Sequence, residues 1–239
     1  MSSRKLSRSI IVGAAAIAVA GGSYGIVSAT SSSSPAAASS SSSTSSSGFA
    51  HAPGAGGGSN ARSGPAAGGA AGTVGSLSSS GFTLTTSAGQ KVTIKEAAST
   101  TYQKETSPAS VSAITTGEGV LVLGTTSNTT ITATQVIVEP AGSAYTSSSA
   151  TVVPFQQGAP TTAKSAGQIP ADYTEGSGTI VSGMAANKAT EAALAAYPGG
   201  VVDRVVKLSN GEYEVHNIGV NWPHHIFVTK HFKVVGAND

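Results

Sequence analysis

The sequence predicts a mixed fold: a small all-β, barrel-like domain followed by a small α+β domain with one helix on an antiparallel sheet, and long disordered segments before and between them. Three observations carry this prediction. Short runs with period-two alternation recur between turn signals over residues 72–139. An alanine-rich run over 184–197 ends at Pro198-Gly199-Gly200 and leads into three β-rich segments. Only 10% of the 239 residues are charged and 5% aromatic, so much of the chain lacks the side chains to build a core.

In the β-rich stretch, strands are expected at 73–77, 82–86, 91–95, 120–124 and 130–138, enough for a small barrel. One face is read from Phe82, Leu84 and Thr86, from Val92 and Ile94, and from Ile131, Ala133, Gln135 and Ile137, with the intervening Thr and Lys facing water. Ser87-Ala88-Gly89-Gln90 and Ser127-Asn128 are the expected hairpin turns, and Val111 and Ile114 are spaced for one helical turn closing the barrel. Further on, a helical wheel gathers Ala185, Ala189, Ala192, Ala193 and Ala196 on one arc, opposite Asn187, Lys188 and Glu191. Pro198 stops that helix, and Gly199 and Gly200 are expected to supply positive φ at its exit. A strand over 201–208, an Asn-Gly turn at Ser209-Asn210-Gly211, a return strand over 212–218 and one or two strands over 224–235 follow. The last domain, 179–239, is expected to fold on its own.

The helix ending in Ala-Tyr-Pro-Gly-Gly, then Val-Val-Asp-Arg-Val, Asn-Gly-Glu-Tyr-Glu-Val and Phe-Lys-Val-Val-Gly, resembles a PepSY domain over 179–236. The resemblance implies a binding module of secreted peptidase propeptides and cell-envelope proteins, with peptidase inhibition or regulation as its role and no catalytic residues. The stretch over 72–139 resembles the bacterial family called domain of unknown function 5666. Gly-Thr-Val, Gly-Phe-Thr-Leu-Thr-Thr, Thr-Thr-Tyr, Gly-Glu-Gly-Val-Leu-Val and Ile-Thr-Ala-Thr-Gln-Val carry that resemblance, which implies an envelope or secreted context.

Charge and leader composition agree with export. Arg4, Lys5 and Arg8 precede an uncharged run from Ile10 to Ala20, and Val27-Ser28-Ala29 follows as a small-residue cleavage motif. Residues 1–29 therefore read as a signal peptide or, uncleaved, as a membrane anchor. Any membrane contact is expected through that segment alone. Residues 30–71 are a Ser/Gly/Ala-rich spacer and 140–178 a flexible linker whose apolar island is Val152-Val153-Pro154-Phe155. Ten basic residues beyond the leader face 11 acids, which leaves no basic face for nucleic acid. The absence of Cys means that stability outside the cell does not rest on disulfides.

A search for chemistry finds little. Gly21-Gly22-Ser23-Tyr24-Gly25 spells the nucleophile-elbow string, but inside the leader and without the strand and helix that the motif requires. No catalytic residue and no cofactor is assigned. Four of the five histidines, His216, His224, His225 and His231, fall within sixteen residues, and neutral imidazoles on adjacent strands bind zinc or copper. Packing beside Trp222-Pro223 and sensing of pH between about 5 and 7 are the other readings of this cluster. Trp222, Phe227 and Phe232 stand either for a partner-binding patch or for core packing, and an exposed sheet edge would accept an extended peptide.

The sequence thus points to a secreted or envelope-tethered, non-enzymatic protein that binds an extracellular protein or peptide, with a peptidase as the implied partner. A structural, cell-wall-associated protein and an envelope metal-binding protein are the alternatives.

Overall fold

Period-two segments close into a barrel because their apolar sides must share one interior. The computed structural model describes residues 64–140, 152–158 and 164–239. The leader and all but the end of the 30–71 spacer lie outside these residues. The barrel strands are β1 (Ala66–Ser78), β2 (Gly81–Thr85), β3 (Lys91–Lys104), β5 (Gly119–Ser127) and β6 (Thr130–Val138), with β4 (Ser107–Ala109) folded back on β3. The ring runs β1-β2-β3-β6-β5 and returns to β1, antiparallel except for the parallel β3–β6 pair. Phe82, Leu84, Val92, Ile94, Val120, Val122, Ile131 and Val136 fill the interior, and Ile114, which ends the 3-10 turn Val111–Ala113, packs with them. Gly89 and Asn128 take positive φ (83° and 51°) in the expected hairpins.

The face expected for β6 changes partway along the strand. Ile131 and Ala133 point inward, but Thr134 is an extra residue against the Leu123–Gly124 step of β5, so Val136 and Val138 take over the interior. Gln135 is half-buried on the outside, and Ile137 joins a second core there.

That second core joins the barrel to the rest of the chain. The remaining elements are β7 (Val153–Pro154), β8 (Ser165–Gly167), β9 (Thr179–Ile180), α1 (Gly183–Ala196), β10 (Val201–Lys207), β11 (Tyr213–Ile218), β12 (Val220–Trp222), β13 (His225–Val228) and β14 (Val234–Asn238). β10, β11, β13, β14 and β8 follow one another in the sheet, and β10 pairs with β1 through Gly69↔Val202 and Ala70↔Val201. The strand that opens the barrel thus begins at Ala66, six residues before the expected boundary. Its Gly and Ala read as spacer composition. In the fold they let three backbones converge: a Cβ on Gly68 would stand 2.0 Å from the Val202 carbonyl oxygen, and one on Gly69 2.3 Å from that of Val122.

Helix α1 lies over this junction. Ala186, Ala189, Ala193 and Leu194 pack with Ala71, Leu121, Leu123 and Ile137 of the barrel and with Val202, Val205, Val215, Ile226 and Val228 of the C-terminal sheet. The buried arc is rotated from the expected one. Leu194 and Thr190 belong to it, Ala185 and Ala192 flank it, and Ala196 is exposed. The helix exit also differs, since neither Gly199 nor Gly200 has positive φ. Both are needed for close approach: a Cβ on Gly199 would meet Val152 Cγ1 at 2.4 Å, and one on Gly200 would meet Asn217 Oδ1 at 2.1 Å.

The described parts of the 140–178 segment are pinned to the fold. β7 pairs with β12, Val152 is buried and β8 pairs with β14; just past the segment, β9 pairs with the end of β10. The Ser209-Asn210-Gly211 turn forms as expected, with Gly211 at φ 87° and Asn210 Oδ1 accepting from the Glu212 amide (2.9 Å). Among the described residues, no helix is long and apolar enough to cross a membrane.

Candidate functional site

Strand alternation gives the C-terminal sheet two unlike faces. Val202, Val205, Val215, Ile226 and Val228 point into the core beneath α1, so Arg204, Glu214, His216, His225 and Phe227 project from the other side of the same strands. Register aligns them in two rows, Arg204↔His216↔His225 and Glu214↔Phe227. Asp203 is the extra residue of a bulge between Val202 and Arg204, which turns its carboxylate toward the first row.

These side chains pair with one another. His216 Nδ1 donates to Asp203 Oδ1 at 2.6 Å, Arg204 Nη1 donates to Asp203 Oδ2 at 3.4 Å, and His225 Nδ1 donates to Glu214 Oε1 at 2.8 Å. The carboxylates only accept, which fixes the proton on Nδ1 of both rings. None of Arg204, Glu214, His216 and His225 is more than 4% exposed. Burial pushes the His216 pKa below its ordinary value; the hydrogen bond and charge of Asp203 oppose this, while Arg204 and His225 add to it.

The segment over 164–178 covers this face. Tyr173 sets its ring edge-on to Phe227 (4.7 Å between centroids) and tilted against His225 (5.7 Å). Burial raises the pKa of its hydroxyl, as do the charges of Glu214 and Glu175, against Arg204. β8 adds its backbone to β14 through Ser165↔Asn238, Ala166↔Ala237 and Gly167↔Gly236, and the Gln168 amide donates to the Val235 carbonyl at 2.8 Å. Asp172 holds the hairpin turn by accepting from the Ser209 hydroxyl and from the Asn210 amide (3.2 Å). At the other end Trp222 Nε1 donates to the Lys164 carbonyl at 3.0 Å, and Lys164 Nζ lies 4.0 Å from the centre of the Trp222 ring.

The structure brings two of the four clustered histidines directly together. His216 and His225 are cross-strand neighbours with ring centroids 5.2 Å apart. His224 precedes β13, lies 6.3 Å from His216 and donates from Nε2 to the Val220 carbonyl at 2.7 Å. His231 is exposed in the turn between β13 and β14. Among the described residues, no three His, Cys, Asp or Glu side chains are grouped to hold one metal ion. Of the candidates His216, His224, His225 and His231, carboxylates orient two of the rings, His216 and His225, and the turn carries His231 away.

The three aromatic candidates are also redistributed. Trp222 is 4% exposed and packs edge-on against Tyr197, and Phe227 is fully buried beneath Tyr173. Phe232, at φ 59°, is half-buried, stacked on Tyr213 with Lys188 Nζ 5.5 Å from its centre. They form three separate packing contacts and no common patch. The edge expected to accept a peptide carries β8.

Asp203, Arg204 and Tyr173 escaped the sequence reading. A charged pair interrupting Val-Val-Asp-Arg-Val-Val was the available signal for the first two, since both faces of that strand are otherwise apolar. Tyr173 with Ile169 was a second apolar island in a segment credited with one. Together, two imidazole–carboxylate pairs and a guanidinium form a floor of largely buried hydrogen-bonding groups. Comparison with protein-family models, curated proteins and solved structures finds no match for the chain.

Proposed function

We propose that the chain is a secreted or envelope-tethered, non-enzymatic binding protein that engages an extracellular polypeptide through its C-terminal helix-and-sheet module. Regulation of a peptidase is the role implied by the resemblance of 179–236 to PepSY domains. One observation carries the reading: the sheet ends at β14, whose outer edge is closed by a strand of only three residues, Ser165–Gly167. A sheet edge with so short a cover is suited to strand addition, in which main-chain hydrogen bonds supply affinity and side-chain pockets supply specificity.

The test is photo-crosslinking of the full chain in native culture supernatant, with a photoreactive residue at Val235 beside that edge. The expected product is one extracellular polypeptide captured from Val235 and not from Met184, an exposed position on α1. Capture restricted to cell-wall preparations, or equal capture from both positions, overturns the reading in favour of the structural alternative.

A further inference from the structure

We propose that residues 164–178 are a built-in occupant of a peptide-binding surface, and that an extended peptide carrying an aromatic side chain displaces them, replacing β8 along β14 and Tyr173 over His225 and Phe227. This rests on the binding reading above and names where the partner sits and what its chemistry is.

The two faces of the same strands make the first argument. Beneath α1 the sheet is apolar, aliphatic but for Tyr213, as suits a permanent core. Beneath 164–178 lie Arg204, Glu214 and two histidines, all buried. Buried ion pairs seldom stabilise more than well-packed apolar side chains of the same volume, so a face that is never uncovered has little reason to be polar. A face that meets water or a polar ligand in a second state has such a reason.

The way the segment is attached makes the second argument. Ser165 and Gly167 are exposed and Ala166 is only half-buried, so β8 contributes backbone hydrogen bonds and little side-chain burial. Each such bond is a small net gain, because water offers the same groups partners when the strand is open. The edge fits a backbone closely, since a Cβ on Gly236 would stand 2.1 Å from the Gln168 carbonyl oxygen. Any extended peptide with the same main-chain pattern satisfies that edge equally well. What singles out a partner is the slot filled by Tyr173, where one ring meets Phe227 edge-on and His225 at a tilt; aromatic contacts of this kind add to the gain from the area they bury.

Two measurements on the full chain test the proposal. In hydrogen exchange, the Gln168 amide, held by the Val235 carbonyl, is expected to exchange at least ~100-fold faster than the paired amides of β11, because the segment opens without global unfolding. Equal rates would make 164–178 an integral part of the fold and overturn the proposal, while leaving binding through another surface intact. In the second measurement, a labelled peptide of residues 164–178 is added to the parent and to the Asp172→Ala/Tyr173→Ala chain. The variant, whose own segment competes less, is expected to bind at least ~10-fold tighter, and the same peptide with Ala in place of its tyrosine to bind ~10-fold more weakly. Equal binding by both folded chains, or no dependence on the aromatic residue, overturns it. Absence of any crosslinked polypeptide, with these two results as expected, removes the biological partner and leaves the surface.

Discussion

His216 illustrates how one residue ties the outer face to pH. On its own strand it faces Glu214; from β10 it meets Asp203 and Arg204, from β13 His225, with His224 beyond, and Tyr173 lies over the same face. Burial holds its pKa below the ordinary value of about 6.5, so the folded state favours the neutral ring. The stability this provides is complete above the unfolded pKa and is lost as pH falls through the lower, folded one. His216→Gln is expected to flatten the acid side of the stability profile, starting near pH 6.5, and urea denaturation at a series of pH values checks it. An unchanged slope in the variant would place the acid sensitivity elsewhere. The clustering of the histidines was legible in the sequence. Its carboxylate partners were not, because a bulge places Asp203 and cross-strand register brings Glu214 to His225, and neither spacing is visible along the chain.

At the scale of elements, Leu194 is the large side chain on the buried arc of α1 and is fully inaccessible between the barrel and the C-terminal sheet. Leu194→Ala is expected to cost about 2–5 kcal/mol in chemical denaturation, since small alanine neighbours leave little to collapse into the space. Ala196→Leu, on the exposed flank, is expected to change stability by less than about 0.5 kcal/mol. The sequence-derived arc would give Ala196 the larger effect, so the pair of variants separates the two helix faces. The barrel strands were legible because Phe82, Leu84, Val92 and Ile94 alternate without interruption against a single core. The end of β6 was not, because alternation continues through Gln135 and Ile137 in the sequence while Thr134 shifts the register in the sheet. The first half of β1 was hidden for the opposite reason. Its glycines and alanines carry no apolar signal, and their value is in the backbone approach they permit.

For the molecule as a whole, the junction between the predicted domains decides how it unfolds. β1 is hydrogen-bonded to β5 and to β10, and α1 closes one core drawn from the barrel and from the C-terminal sheet, so separating the halves would expose Leu121, Leu123 and Ile137 on one side and the underside of the helix on the other. Residues 179–239 on their own would also lose the strands β8 and β1 that satisfy β14 and β10. A chain of about 60 residues buries only about 60% of its unfolded surface even when intact, so losses of this size are not absorbed. The full chain is therefore expected to unfold in one transition, with the emission of Trp222, which reports the C-terminal half, coinciding with the loss of hydrogen-exchange protection at the paired amides of the barrel strands β2 and β3. The 179–239 fragment is expected to show no cooperative transition. Two separated transitions in the full chain, or native Trp222 emission from the fragment, would restore the picture of two independent modules joined by a linker; coincident transitions mean that any partner displacing 164–178 acts on a sheet whose far end is the barrel itself.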